Sequence, residues 1–271
     1  MRTRWVAAVL ALLLAAVAAY AVPAYAVPAN AMPANAMAAS AATAPTRILF
    51  MHHSTGANLI REGGVRESFS ALGYPFWDHG YNEEGLVDQA GNSTGANFEV
   101  PDDNTNPDGW AAVFAQTVTT PPSTTLSQLL QYDVILFKSC FPASNITDDE
   151  MFANYTQYYL SIRAVIDAHP DKLFVAFTPP PLVPNETEPA NAKRAREWAA
   201  YLASPEFVGS RENLVVFDFF TLLADANGTL RPEYRGDERD SHPNQRANEA
   251  VGPLLVDFVQ QAIVAWRSAG G

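Results

Sequence analysis

Four short apolar runs without polar alternation limit the fold of this chain more than any other feature. They cover residues 47–52, 133–138, 172–178 and 213–218. A strand with one face in water alternates apolar and polar side chains, so unbroken apolar runs indicate strands that are buried on both faces. Such strands form mainly parallel sheets that helices cover on both sides, which predicts an α/β fold.

The segments between these runs carry the spacing of amphipathic helices. Helices are predicted over residues 57–72, 148–168, 189–202 and 244–266, and a weaker strand over residues 74–77. In the last helix, apolar side chains such as Val251, Leu255 and Val259 recur every three or four residues. Residues 80–122 show little periodicity and many Asn, Asp, Gly and Pro, so this segment is predicted to be a long loop over the sheet edge.

The N-terminal residues have the composition of an export signal. Arg2 and Arg4 precede an unbroken apolar run over residues 5–22, and small-residue cleavage sites follow it. We therefore predict a signal peptide at 1–26, a Pro/Ala-rich linker at 27–45 and a secreted domain at 46–271. The alternative is an uncleaved segment that anchors the domain to a membrane, since 18 apolar residues just reach spanning length.

Charge and cysteine content exclude several kinds of protein. The chain has 17 Lys and Arg against 29 Asp and Glu, a formal net charge of −12. Nucleic-acid binding needs a basic surface, so no nucleic-acid partner is expected, and a membrane partner only if the N-terminal segment is uncleaved. The single cysteine, Cys140, excludes an intrachain disulfide and is expected to be a buried small side chain.

Polar side chains cluster directly after the predicted strands and before the last helix. Ser54 follows the first strand, Cys140 and Asn145 follow the next strong one, and Asp240 and His242 precede the C-terminal helix. Ligands of open parallel sheets bind at the carboxyl ends of the strands, so these groups are expected to meet. A serine nucleophile, a histidine base and an orienting aspartate are the residue types that acyl transfer requires.

These motifs resemble those of the SGNH (GDSL-type) hydrolase superfamily over about residues 46 to 266. His-His-Ser54-Thr-Gly56 lies where that family has its serine motif, and Asp240-Ser-His242 matches its last block, with one residue instead of two between Asp and His. The resemblance implies a flavodoxin-like three-layer αβα sandwich with a central, mainly parallel sheet. It also implies a carboxylic ester hydrolase whose catalytic residues are Ser54, His242 and Asp240.

The resemblance also implies three groups that stabilise the oxyanion. The first is the backbone N–H of Thr55, at the start of the first helix. The second is the family's glycine after the second strand, which corresponds here to Gly91, with Gly95 as an alternative. Asn145 is the nearest match to the family's asparagine, although it lies later than the pattern expects, and Ser139 or Ser144 could serve instead.

Several other interpretations of the same residues remain open. Ser54 could cap the following helix. Cys140 could act as a nucleophile against His242, or the domain could bind carbohydrate without catalysis. His52 and His53 could suggest a metal, but adjacent strand residues point to opposite faces and cannot easily bind one ion. We therefore predict no metal and no cofactor.

The expected substrate is a small-molecule or polysaccharide ester with a short acyl group, most simply acetyl. A Lys-poor acidic domain with a polar loop suits a neutral, hydroxyl-rich ligand better than lipid. Trp77 precedes this loop and Trp110 lies within it, and one or the other is predicted to stack on the sugar. The acyl group and the natural polymer stay open.

Overall fold

A computed structural model describes residues 45–81, 83–101 and 105–271. The predicted signal peptide and all but the last residue of the predicted linker lie outside the described residues. Within the described residues, no helix is both long enough and apolar enough to span a membrane.

One six-stranded sheet forms the centre of the fold. Its strands are Ile48–His52 (β1), Phe76–Gly80 (β2), Gly85–Val87 (β3), Val134–Phe137 (β4), Leu173–Phe177 (β5) and Leu214–Phe217 (β6). They lie in the order β3-β2-β1-β4-β5-β6, and all neighbours are parallel except the pair β2 and β3. Without β3, the five parallel strands have the flavodoxin-like order, in which the first strand lies between the second and third.

Helices cover both faces of this sheet. They are Ser54–Glu62 (α1), Val65–Ala71 (α2), Pro107–Phe114 (α3), Thr125–Leu129 (α4), Asp149–Asp167 (α5), Pro189–Leu202 (α6), Pro205–Val208 (α7), Phe219–Leu223 (α8) and Gln245–Ser268 (α9). Side chains of α1, α2 and α9 form one core with the sheet, and those of α3, α5 and α6 form another. The predicted three-layer αβα sandwich is confirmed.

Successive side chains of the buried strands point alternately into the two cores. Phe50 of β1 lies in the core under α9, where its ring stacks on Phe177 of β5 at 5.0 Å. Its neighbour Leu49 lies in the opposite core. Every residue of β1, β4 and β5 is buried, which is why these segments read as unbroken apolar runs.

Two parts of the predicted element map are wrong. The helix expected over 57–72 begins at Ser54 and is broken into α1 and α2 at Gly64, which has a left-handed φ of 63° that glycine adopts without strain. The segment 80–122 contains β3 and α3 as well as loops. A three-residue strand and an eight-residue helix are too short to show a clear period.

The carboxyl ends of β1 and β4 form the point at which the chain changes sides. These strands are neighbours, but β1 leads into α1 on one face, whereas β4 leads towards α5 on the other. Such a topological switch point opens a crevice between the two departing segments. Ser54 lies on one side of it and Cys140 on the other.

Candidate active site

Ser54 is the first residue of α1 and follows β1 after one residue. The N-cap is His53, whose carbonyl accepts hydrogen bonds from the N–H groups of Gly56 and Ala57 at 2.8 and 3.1 Å. Ser54 itself therefore does not cap the helix. Gly56 allows this tight turn, because a Cβ at that position would overlap the His52 side chain. The turn leaves the Ser54 hydroxyl at the sheet edge.

Ser54, His242 and Asp240 form a continuous chain of hydrogen bonds. Ser54 Oγ lies 2.8 Å from His242 Nε2, and His242 Nδ1 lies 2.5 Å from Asp240 Oδ1. A carboxylate at Nδ1 favours the tautomer that carries its proton there, which leaves the Nε2 lone pair facing the serine hydroxyl. The structure thus brings together all three residues that the sequence predicted as a triad.

The local backbone shows how one intervening residue suffices between Asp240 and His242. Asp240 Oδ1 accepts from the backbone N–H of His242 at 2.9 Å as well as from its ring. Ser241 points the other way into the protein, where its Oγ accepts from the N–H of Val183 at 3.0 Å. The Phe141 ring packs edge-on against His242, with centroids 4.9 Å apart. These contacts fix the loop without a helix or strand.

Asp240 is suited to remain ionised in this loop. Its partial burial would raise the pKa of the carboxyl, but the hydrogen bonds from the His242 backbone and ring outweigh that effect and lower the pKa below its usual value. At neutral pH, the carboxylate can therefore hold the His242 ring in place.

A second histidine lies on the other side of the serine. His53 Nδ1 is 3.4 Å from Ser54 Oγ, and His53 Nε2 is 3.1 Å from Glu83 Oε1. A hydrogen bond to Cys140 raises the pKa of His53 against the lowering effect of its burial, and the charge of Glu83 raises it further. The protonated imidazolium form is therefore favoured more than in a free histidine.

Two fully buried titratable side chains, Cys140 and Lys138, lie close to Ser54 and Thr55. Cys140 Sγ is 3.8 Å from both Ser54 Oγ and Thr55 Oγ1, and Lys138 Nζ donates to Thr55 Oγ1 at 2.6 Å. Burial would raise the pKa of the Cys140 thiol, but Lys138 and a hydrogen bond from His53 lower it to about 6. Burial lowers the pKa of Lys138, and the nearby Cys140 opposes this shift.

This arrangement changes the expected partner of Cys140. The two ring nitrogens of His242 are bonded to Ser54 and Asp240, so the histidine that faces Cys140 is His53. Cys140 is buried, as the sequence predicted. The pairing of Cys140 with His242, considered from the sequence, is not what the structure shows.

His52 points away from this cluster into the sheet. Its Nε2 lies 2.8 Å from Asp78 Oδ2, and Arg66 pairs with the other Asp78 oxygen. His52 and His53 thus have different partners, as expected for neighbours at a strand end. Across the described ranges, no group of three or more His, Cys, Asp or Glu side chains is arranged to hold a metal ion.

The predicted oxyanion groups are Thr55, Asn145 and Gly91, and the structure places them differently relative to Ser54. Thr55 is adjacent to the nucleophile, and its backbone N–H lies in the first turn of α1, where amides have no partner within the helix. Asn145 follows a short 3-10 turn, Phe141–Ser144. Its Oδ1 accepts from Asn191 Nδ2 at 3.0 Å, so the side-chain oxygen is turned towards α6. The role of Asn145 stays a prediction.

Gly91 is not brought to the site. Its N–H donates to the carbonyl of Asp88 at 3.0 Å within an exposed turn. Because β3 runs antiparallel to β2, with Val87 opposite Asp78, the chain has already turned back from the carboxyl edge before it reaches Gly91. Gly91 therefore cannot donate to an oxyanion at Ser54.

The two predicted stacking tryptophans do not reach the site either. Trp110 is fully buried in α3, with its ring 5.8 Å from Tyr81 and 5.4 Å from Phe137. Trp77 pairs in the sheet with Leu49 near the amino end of β1, and its ring contacts Tyr132 at 5.5 Å. Both are packing residues, because α3 and the start of β2 need large apolar side chains against the sheet.

The sequence analysis did not single out the roles of His53 and Lys138. A signal for Lys138 exists, since a charged residue directly follows the fully apolar strand β4 and precedes Cys140 by two residues. Alternate residues at a strand end share a face, so this spacing could have indicated that Lys138 and Cys140 are neighbours. No comparable signal sets His53 apart from His52.

The chain is similar to three solved structures that cover most of it. They are a candidate acylhydrolase from Bacteroides fragilis (13% identity, TM-score 0.47, 80% of this chain and 87% of that chain), a GDSL-like lipase from Bacteroides thetaiotaomicron (12%, 0.44, 80% and 89%) and a family two carbohydrate esterase from Cellvibrio japonicus (18%, 0.43, 81% and 62%). No protein-family model matches the chain, and no curated protein does. TM-scores below 0.5 do not establish a shared reaction.

Proposed function

We propose that this protein is a serine ester hydrolase of the SGNH type. Ser54 is the nucleophile, His242 the general base and Asp240 the residue that orients it. The observation that carries the proposal is the unbroken chain from Ser54 Oγ to His242 Nε2 at 2.8 Å and from His242 Nδ1 to Asp240 Oδ1 at 2.5 Å.

The reaction follows from this geometry. His242 takes the proton of Ser54 as Oγ attacks the ester carbonyl, and Asp240 stabilises the resulting imidazolium. Amides in the first turn of α1, among them that of Thr55, face the developing oxyanion with the positive end of the helix. His242 then gives the proton to the leaving alcohol. Water hydrolyses the acyl-Ser54 ester by the same route in reverse.

For the substrate, we propose a short acyl ester of a neutral, hydroxyl-rich molecule such as a polysaccharide. The net charge of −12 disfavours anionic polymers. A cavity of about 400 Å³ lies between the N-terminal turns of α3 and α5, and its lining includes Asp108, Asn154 and Tyr158. Carboxylate, amide and phenol groups are suited to sugar hydroxyls, and they replace Trp77 and Trp110 as the proposed sugar contacts.

Labelling with a fluorophosphonate, followed by mapping of the modified residue, tests the nucleophile. We expect one modified residue, Ser54, and a loss of kcat of about 10³-fold or more in Ser54→Ala with unchanged circular dichroism. Ser161→Ala, on the exposed side of α5, is the matched control and should keep full activity. Undiminished hydrolysis by purified Ser54→Ala would overturn the proposal.

Acyl-chain length tests the substrate class on the same preparation. Acetyl esters should be hydrolysed with a higher kcat/KM than octanoyl esters, because the side chains that contact Ser54 Oγ are those of His53, Cys140 and His242, which do not form a long apolar groove. Where such a groove exists, each buried CH₂ contributes roughly 0.8 kcal/mol. A clear preference for octanoyl esters would contradict a sugar ester as substrate but would leave the role of Ser54 intact.

A further inference from the structure

The Ser54 hydroxyl lies between two imidazoles, and only one of them is needed as the base. Within the described residues, His242 and His53 are the side chains with a ring nitrogen in hydrogen-bond range of Ser54 Oγ, at 2.8 and 3.4 Å. We propose that His53 is a further catalytic residue, which donates its Nδ1–H to the oxyanion that forms when Ser54 attacks an ester. This inference rests on the proposed esterase function.

The position of His53 suits an oxyanion donor. When the substrate carbonyl carbon bonds to Ser54 Oγ, its oxygen comes to lie one bond further out, on a side that His242 does not occupy. His53 Nδ1 already lies 3.4 Å from Oγ, so it is close to the carbonyl group that Oγ attacks. Electrostatic stabilisation requires donors aimed at the place where charge develops, and a charged donor forms a stronger hydrogen bond than a neutral one.

The surroundings of His53 hold its ring in the form that can donate. Glu83 Oε1 accepts from Nε2 at 3.1 Å, so the neutral ring keeps its proton on Nε2, and Nδ1 carries a proton only in the imidazolium form. The Tyr81 ring packs against His53 with centroids 5.6 Å apart. The charged or titratable groups that face the ring are Glu83, Cys140, Lys138 and, across Ser54, His242; Cys140 and Glu83 favour the imidazolium and Lys138 disfavours it.

No proton transfer to or from His53 is required. In the resting site, its Nδ1–H faces Ser54 Oγ and Cys140 Sγ. During attack, this hydrogen bond shifts to the oxyanion, while His242 carries the Ser54 proton to the leaving alcohol. His53 keeps its proton through both halves of the reaction. The role therefore differs from that of a second general base.

Three variants of the full chain, assayed on 4-nitrophenyl acetate over a range of pH, test this role. His53→Phe should lose about 10²-fold in kcat with little change in KM, as for the loss of one oxyanion donor. His53→Gln keeps an N–H donor without charge and should recover part of that loss. Glu83→Gln should move the alkaline fall of kcat to lower pH, since it removes a charge that favours the imidazolium.

The pH profile separates catalysis from a structural role. In the unmodified protein, kcat should fall as the pH rises through the raised pKa of His53, and this alkaline fall should be absent from His53→Gln. If His53→Phe does not fold, the kcat and pH profile of His53→Gln decide. The inference is overturned if the alkaline fall persists in His53→Gln, whether or not kcat itself is lower. A failure of the proposed function would give a different result, which is undiminished ester hydrolysis by the Ser54→Ala variant.

Discussion

Within the described residues, two of the histidine–carboxylate pairs join a histidine to an aspartate, and they lie in opposite environments. His242 and Asp240 are joined at 2.5 Å in a loop, where their side chains are 32% and 54% exposed. His52 and Asp78 are joined at 2.8 Å at the end of the sheet, where their side chains are 3% and 8% exposed. We infer from their difference that the remaining contacts of each pair, not the pair itself, decide whether it can take part in catalysis.

The second ring nitrogen has a different partner in each pair. In the loop pair, His242 Nε2 faces the Ser54 hydroxyl, a group that can react. In the sheet pair, His52 Nδ1 faces the carbonyl oxygen of His53 at 3.1 Å, a group that cannot. We therefore assign the loop pair to catalysis and the sheet pair to holding β1 against β2.

Arg66 completes the sheet pair and makes it structural. It pairs with Asp78 and donates to the carbonyl of Asp88 at 2.5 Å, so it joins α2, β2 and the turn after β3. Burial would raise the pKa of Asp78, but His52 and Arg66 lower it below its usual value. Removing one member of such a set leaves an uncompensated buried charge.

The largest expected effect is that of His242→Ala on activity. It removes the base, so kcat should fall about 10³- to 10⁴-fold on 4-nitrophenyl acetate. Thermal unfolding should change little, because the side chain is partly exposed and its loop keeps the Ser241 contact to Val183. A loss of less than about tenfold would show that another group, first of all His53, takes the Ser54 proton.

The opposite result is expected for the sheet pair. Asp78→Ala should lower the free energy of unfolding by about 3 to 5 kcal/mol in urea, because Arg66 then loses its buried partner. The folded fraction should keep kcat within a few-fold. Asp225→Ala is a control. It also removes a hydrogen-bonded Asp, but one that lies in a turn outside the sheet. If Asp78→Ala instead lowered kcat strongly without loss of stability, the division between the two pairs would be wrong.

The sequence predicted the proximity of Ser54, Asp240 and His242 better than their surroundings, for a physical reason. Strands β1, β4, β5 and β6 follow from apolar runs, and every residue of the first three is buried. Once the sheet is parallel, its carboxyl edge must gather the residues that follow these strands, and Ser54 is one of them. His242 joins them because α9 packs beside α1.

Two of the failures share one cause: the sequence did not reveal that a tryptophan and a lysine are buried. Trp110 follows an Asn- and Asp-rich stretch, yet α3 turns its ring into the core. Lys138 has a long charged side chain, yet it is fully buried and bonded to Thr55. In both cases, the side chain's direction depends on neighbours that are distant in sequence, so local pattern does not reveal it.

The smallest expected effect concerns acid stability, and it compares the pairs directly. Asp78 and Asp240 both have lowered pKa values in the folded protein. A depressed carboxyl pKa contributes stability that is present above the unfolded value, about 3.9, and is lost as the pH falls through the folded value. Asp78→Asn should therefore flatten the fall of unfolding free energy below about pH 4.

Asp240→Asn should flatten the same curve much less, because water screens an exposed pair. Urea unfolding of the unmodified protein and both variants, at steps from neutral pH to below the ordinary carboxyl pKa of about 3.9, measures the difference. Equal flattening in the two variants would mean that the loop pair contributes as much to folding as the sheet pair. The loop pair would then be a structural element as well as a catalytic one, and exposure would not be what separates them.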